Sequence, residues 1–345
     1  MKIVISNEYN AAHNLALEEY LARTAREENA VLFLWQNEKS VIIGRNQNPY
    51  MECDMSYADN NRIPVVRRMS GGGAVFHDRG NLNYSVIYKK ELLSKESVTD
   101  YVIQSLLNAG IRVTKNGRND IGIDEKKVSG TAFYQRDGFI CQHGCILIKS
   151  DLDVLEKVLK PDMDKVVSKG IHSVRARVAN ISDYNSNICV DDVKNALISN
   201  FKRLLDSGYC SNDACIGKRE VSPSYLKEEE YNEILKKYLS DDWNMRKKID
   251  MRYSIRSRFP WGDCTIVFLT DCSVIRNVYI FSDVLEESII QTVTAALKGT
   301  DFSKDLILKE LRKIMNETKN TRDRNILSDI TALTEKELGI HDSGR

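Results

Sequence analysis

Three consecutive glycines, Gly71-Gly72-Gly73, stand between two runs that read as strands. Pro64-Val65-Val66 precedes them and ends on Arg67-Arg68. Ala74-Val75-Phe76-His77-Asp78 follows and leads into Asn81-Leu82-Asn83-Tyr84-Ser85-Val86-Ile87. A glycine loop that opened a helix would point to a doubly wound dinucleotide fold. One followed by Gly-Lys-Ser/Thr would be a P-loop. Here the chain goes from strand to strand, and Gly73 is followed by Ala74. A bare backbone can take φ > 0 and lets a ligand approach the amides. With two arginines beside it, the loop reads as a site for a phosphate or carboxylate.

The rest of the chain alternates short strands and helices. A helix is predicted over His13–Glu27, with Ala12, Leu15, Ala16 and Tyr20 on one face. Val31–Trp35 and Ser40–Gly44 read as a strand pair joined through Asn37-Glu38-Lys39. Ser97–Ala109 reads as a helix closed by Gly110, and Ile111-Arg112-Val113 as a strand. Ile121-Gly122-Ile123 and Lys127-Val128-Ser129 flank a polar turn and predict a hairpin. Phe139–Lys149 alternates like a strand, and Asp151–Leu159 reads as a helix stopped by Pro161. Strands with such short links must often be antiparallel, because a parallel crossover takes a dozen residues or more. The expected class is therefore α+β.

A domain boundary is expected near residue 245, giving a main domain over 1–245. A Glu- and Lys-rich helix over 224–240 is followed by Asp241-Asp242-Trp243-Asn244 and the basic segment Arg246–Arg258. That segment reads as a solvated linker or as a docking face for an acidic partner. Strands Cys264–Leu269 and Val274–Phe281 and helices near 284–297 and 304–315 predict a small α+β domain over 246–335. Residues 316–345 look polar and prone to fray, with 336–345 a tail.

Lys plus Arg is 50 against 49 Asp plus Glu, a net charge of +1. This gives no global attraction to nucleic acid or membrane, so any steering is local. No apolar run reaches the roughly 18–20 residues of a membrane span. The N-terminus lacks the apolar region of a secretory signal. The eight cysteines form no Cys-x-x-Cys and read as reduced thiols of a cytoplasmic protein.

Three further groups of residues invite function. Asn119 and Asp120 end the turn Asn116-Gly117-Arg118-Asn119-Asp120, where Asp120 could equally brace the turn. Lys127 begins the small-residue run Lys127-Val128-Ser129-Gly130, where a solvated hairpin lysine is the plain alternative. His143 precedes Gly144, a place that suits a structural imidazole as well as a catalytic one.

Taken together, these motifs resemble the lipoate–protein ligase family. The resemblance runs through Asn14-Leu15-Ala16-Leu17-Glu18-Glu19, Trp35-Gln36-Asn37, Val41–Pro49, Arg67–Asp78, Gly80–Tyr84, Gly117–Asp120, Lys127–Gly130, His143-Gly144, Lys169-Gly170-Ile171 and Ser173–Val178. It covers about residues 1–185 in order and spacing, and more weakly the family's C-terminal accessory domain over about 225–330. It implies a biotin/lipoate ligase-like catalytic domain, related to class II tRNA synthetases, with a small α+β C-terminal domain. It also implies an ATP- and Mg²⁺-dependent enzyme. Free lipoate or octanoate is activated to the acyl-adenylate, then joined to one lysine of a lipoyl domain of 2-oxoacid dehydrogenase E2 subunits or glycine cleavage H protein.

Carried over by motif, Arg68 and the backbone of Gly73, Ala74, Val75 and Phe76 hold the nucleotide. Lys127 contacts both the acyl carboxylate and the α-phosphate. Asn119 and Asp120 lie at the phosphates or their magnesium. Ser70, Gly73, His77, Asn83 and His143 complete the acyl site. Lys127 and Asp120 are the catalytic pair, with Asp120 alternatively lowering the acceptor lysine's pKa. The implied enzyme is a cytoplasmic monomer with no nucleic-acid or membrane partner.

Many ligases carry two histidines before this glycine and a threonine after it; here the run is Gln142-His143-Gly144-Cys145. Related octanoyltransferases use a cysteine and no ATP, so Cys141 and Cys145 beside His143 keep a thiol-based transferase as an alternative. A degenerate ligase that only binds lipoyl domains is the second alternative.

Overall fold

The computed structural model describes residues 1–25, 29–116, 120–160, 177–206, 217–221, 226, 228–245, 253–271, 273–283 and 288–341. By its contacts the chain divides into two units. One comprises Met1–Arg45, Pro49–Ser70 and Ala74–Met245; the other comprises Asn46–Asn48, Gly71–Gly73 and Arg246–Arg345.

The first unit is built on an eight-stranded sheet. Its strands are β1 (Lys2–Ser6), β2 (Ala30–Trp35), β6 (Asn81–Lys89), β7 (Thr114–Asn116), β8 (Asp120–Ile123), β9 (Lys126–Arg136), β10 (Phe139–Leu147) and β11 (Gly217–Val221), in the order β11-β1-β2-β6-β10-β9-β8-β7. Only the β1 pairings, with β2 and β11, are parallel; the rest are antiparallel. The tight links explain this. Asp124 and Glu125 turn β8 into β9 with φ of 46° and 65°, and Asp137-Gly138 turns β9 into β10 with 48° and 84°, the backbone of a two-residue hairpin turn.

Both sheet faces are covered, so β2 and most of β6 are buried throughout. Helix α4 (Lys95–Asn108) and the later helix Val190–Asp206 pack on one face through Val98, Tyr101, Val102, Leu106, Val193, Leu197 and Phe201. Helix α1 (Ala11–Thr24) and the helix Glu229–Leu239 cover the other. A separate three-stranded sheet, β4 (Val65–Arg67), β3 (Ser40–Ile43) and β5 (Val75–His77), packs on Cys53, Ala58, Leu155 and Val158.

Two expected pairings differ. β3 does not form a hairpin with β2; it runs parallel to β4 and antiparallel to β5. Both β2 and β3 are buried on every residue, so no alternation specifies their partners. The link between them is tied elsewhere: Glu38 N–H donates to Tyr9 O at 2.8 Å. Ile111–Val113 is not a strand. Helix α4 closes in a Schellman motif, with Gly110 at φ +80°, Gly110 N–H on Leu107 O and Ile111 N–H on Leu106 O, both at 2.9 Å. The Ile111 amide is thereby engaged, and the strand starts at Thr114. α1 starts at Ala11 because Asn10 Oδ1 accepts from Ala12 N–H at 2.9 Å.

The second unit holds an antiparallel sheet of β12 (Ser254–Phe259), β13 (Gly262–Asp271) and β14 (Val274–Ser282). Helices Ser288–Leu297, Lys304–Glu317 and Thr321–His341 pack on it through Val293, Leu297, Ile307, Leu311, Ile326 and Ile330. Two expectations are corrected here. The end of the basic segment is strand β12, whose Ile255 enters the core. Residues 321–341 form a helix with Leu327, Ile330, Leu333 and Leu338 buried, so this stretch is no frayed tail. Its apolar residues recur at helical spacing, thinly enough that the polar composition masks them.

Candidate active site

The strand register places chemistry in rows on one face of the large sheet, because side chains alternate with period two. Trp35, Asn83, Cys145, Gly130 and Asp120 lie opposite one another across β2, β6, β10, β9 and β8. Two residues along, Phe33, Ser85, His143 and Ala132 form the next row. Helix α1 lies over this face and lowers Glu18 onto it.

The result is a buried hydrogen-bond chain. Ser85 Oγ donates to Glu18 Oε1 at 2.5 Å, and His143 Nδ1 lies 2.8 Å from the same oxygen. His143 Nε2 lies 2.6 Å from Ser70 Oγ, and Arg68 Nε donates to Ser70 Oγ at 3.0 Å. A carboxylate can only accept, so Nδ1 carries a proton, which fixes the ring between Glu18 and Ser70. Glu18, Ser70, Arg68 and His143 are each buried. Cys141 Sγ comes within 4.8 Å of the Glu18 and His143 ligand atoms. Those two groups already hydrogen-bond each other and need no ion.

His77 sits beside this chain. Asn37 Nδ2 donates to its Nδ1 at 3.2 Å, and its ring meets Trp35 edge-on. Burial, with Arg68 and His143 nearby, pushes its pKa down to about 3, so the ring is neutral. Burial also draws Arg68 down to about 10, which leaves it charged at neutral pH.

The rim is different. Lys127 Nζ lies 2.7 Å from Asp120 Oδ1, with the side chains 36% and 42% exposed. The β-bulge between Ile121 and Gly122 shifts the register. The lysine head then occupies the space a side chain at Gly130 would fill: a Cβ there would lie 2.5 Å from Lys127 Cε and Nζ. Gly130 lies opposite Cys145 on β10, and Arg68 reaches Ser70, which is bonded to His143 two residues along the same strand.

Asn83 belongs to the same row, and its buried Nδ2 has no hydrogen-bond partner in the structure. A buried amide left unpaired costs about 1–3 kcal/mol; it fits a ligand oxygen, as a phosphate or carboxylate would supply. Arg68, Lys127 and Asp120 supply the charges such a ligand and its counter-ion call for.

Arg68, Ser70, His77, Asn83, Lys127, Asp120 and His143 are thus gathered in one unit. Ala74, Val75 and Phe76 run into and along β5, where Phe76's side chain is core and only the backbone is left for a ligand. Gly73 falls in the second unit, and Asn119 lies outside the described residues. Arg67 is not a second anion-binding charge. Fully buried, it donates to the carbonyls of Gly44, Arg45, Trp243 and Asn244. The residue that sequence reasoning gave no role is Glu18. Its signal was a pair of polar residues, Asn14 and Glu18, four apart on the helix face that carries Leu15 and Leu21.

Cys141 and Cys145 are buried thiols whose pKa burial raises. A thiol held protonated is a poor nucleophile, so the site does not favour a thiol-based transferase.

The lipoyl protein ligase A/B catalytic domain family matches residues 10–202, and the bacterial lipoate protein ligase C-terminus matches 248–331. Lipoate-protein ligase A of Psychrobacter cryohalolentis is 32% identical over 305 residues, covering 88% of this chain and 89% of that protein. Among solved structures, P. falciparum LipL1 in complex with lipoate superposes with a TM-score of 0.82 at 27% identity, covering 98% of this chain and 100% of that one. A chain from the structural analysis of the Thermoplasma acidophilum lipoylation system, a bi-partite lipoate protein ligase and its E2 lipoyl domain, gives 0.59 at 30%, covering 72% and 97%. A lipoate-protein ligase A bound with ATP gives 0.58 at 28%, covering 71% and 98%. The α+β fold is that of the lipoate ligases. With the catalytic-domain family matching residues 10–202 and a relative 32% identical over 88% of the chain, the chain belongs to the lipoate–protein ligase family.

Proposed function

We propose that the protein uses ATP to activate free lipoate or octanoate to the acyl-adenylate and transfers the acyl group to a lysine of a lipoyl domain, such as those of E2 subunits or H protein. The observation that carries this is the pair of cations, Arg68 and Lys127, on one sheet face, with Gly130 leaving room there for the lysine head. A carboxylate is already ionised at neutral pH, so adenylation needs no general base; it needs anions brought together and charge spread. Arg68 is held ready by Ile42 O at 3.0 Å and by Ser70. Lys127 must exchange Asp120 for substrate. A neutral His77 adds polarity without a competing charge.

Asp120, with Asn119, is assigned to the phosphates and Mg²⁺, which when bound would neutralise charge building on them. For the second step an acceptor lysine, with pKa about 10.4, is neutral only about once in 2,500 at pH 7. The alternative role for Asp120 is to help that lysine lose its proton. We assign the enzyme to the cytoplasm, with Cys53, Cys141, Cys145, Cys189 and Cys264 free as reduced thiols there would be; no described helix is long and apolar enough to cross a membrane. Lipoate-dependent ATP–pyrophosphate exchange tests the reading. Exchange in wild type that is lost in Lys127→Ala supports it, and no exchange in folded wild type overturns it.

A further inference from the structure

We infer that Glu18, Cys141 and His143 form a binding site for one thiophilic divalent cation of the zinc class, separate from the magnesium expected at the phosphates. The three side chains come from helix α1 and from two positions of β10. Their ligand atoms all lie within 4.8 Å of one another, and all three residues are buried. A carboxylate, a thiolate and an imidazole are donors that zinc takes, with a fourth position left for water. Softness sets the site apart from Asp120 at the rim. Magnesium prefers oxygen donors and keeps its waters, whereas sulfur selects zinc and its relatives.

Strand geometry assembles the set. Cys141 and His143 are two apart on β10 and share a face because side chains alternate. Helix α1 brings Glu18 onto that face, with Oε1 at 2.8 Å from His143 Nδ1. The register puts Tyr134 of β9 directly opposite Cys141, and its ring centroid lies 6.3 Å from that of His143. The buried Tyr134 Oη has no nitrogen or oxygen hydrogen-bond partner. A water on the ion's fourth position is the partner such a hydroxyl calls for.

The hydrogen bond between Glu18 and His143 holds those two groups together without an ion; an ion brings in Cys141. With zinc bonds of about 2.0–2.3 Å, the ligand atoms of a tetrahedral site stand roughly 3.3–3.8 Å apart, so the set closes with side-chain shifts on the order of 1 Å. Charge also balances. A carboxylate and a thiolate are costly to bury alone, and a divalent cation between them makes the cluster neutral. The thiol proton leaves to solvent as the metal–sulfur bond forms. When Nδ1 takes the ion, the ring carries its proton on Nε2, which faces Ser70 Oγ at 2.6 Å. Metal-bound imidazoles are held by such a bond from their other nitrogen. Ser85 Oγ, donating to Glu18 Oε1 at 2.5 Å, orients the carboxylate in the same way.

The full-length protein, freed of metal with a chelator, is titrated with Co²⁺ as an optical probe and then with Zn²⁺. The expected result is one cobalt per chain, with the visible bands of a tetrahedral site and a near-ultraviolet thiolate-to-cobalt band, both bleached by zinc. Cys141→Ser should lose the thiolate band and His143→Gln the tetrahedral bands, with circular dichroism confirming each fold. Where His143→Gln does not fold, Cys141→Ser decides. Cys145→Ala removes a buried thiol two residues along the same face, and Cys189→Ala an exposed one; both should keep the wild-type spectrum. Zinc should raise the melting temperature of wild type and leave that of Cys141→Ser unchanged. No thiolate band in wild type, or one that survives in Cys141→Ser, overturns the site. Neither result depends on ligase activity, which pyrophosphate exchange tests separately.

Discussion

The interior of the site and its rim are built on opposite terms. Inside, Glu18, Ser85, His143, Ser70 and Arg68 are buried and already hydrogen-bonded to one another. At the rim, Lys127 and Asp120 are a half-exposed ion pair of a kind worth about 0–1 kcal/mol. The interior is preorganised: in a low dielectric a misplaced polar group is costly, so one arrangement dominates. The rim is cheap to rearrange, which suits a lysine that must leave one anion for another. Binding geometry is stored where water is excluded, and the mobile charge sits where water can reach it.

The largest effect expected at the rim is on rate, not stability. Lys127→Ala should lower pyrophosphate exchange by about 10²–10³-fold while the denaturation midpoint stays close to wild type. A large loss of stability would erase the contrast.

Buried charge should behave the other way. Glu19, one residue from Glu18, is buried and takes Lys237, with Arg23 at 2.5 Å and Tyr238 Oη at 2.9 Å. Glu19→Ala strands the half-buried Lys237 and should cost about 3–5 kcal/mol in urea unfolding. A cost below about 1 kcal/mol would show that the network adapts as the rim does.

Gly130→Ala sharpens the comparison at a single atom. The new Cβ would collide with the flexible end of Lys127 and not with backbone. Exchange should fall about 10- to 100-fold, with stability changed by less than about 1 kcal/mol.

The smallest effect is in pH. His77 titrates near 3 in the fold against about 6.5 unfolded. The unfolded chain therefore binds the extra proton first. The contribution is whole above about pH 6.5 and is lost as pH falls, by on the order of 1 kcal/mol per unit. Unfolding at pH 7, 6 and 5 should show His77→Gln losing less stability than wild type over that interval. Equal slopes would mean that the ring is charged in the fold.

Much of this was legible in the chain. The strand-to-strand glycine loop, the β8–β9 hairpin and the Gly110 helix stop are local signals, set by φ > 0 and turn chemistry. Pairings between fully buried strands were not legible, because β2 and β3 lack the alternation that names a partner. Nor was the division between Arg67 and Arg68. They are neighbours in sequence, yet one is engaged by four backbone carbonyls and the other faces Ser70.

The sequence by itself determined the family, the α+β class and which residue types could bind anions, because those depend on order and spacing along the chain. Only the tertiary structure decided that Glu18 meets His143, 125 residues away, and that Ser70 meets the same ring from the other side. Partners so far apart are chosen by sheet register and helix packing. No local propensity encodes which carboxylate arrives at which imidazole.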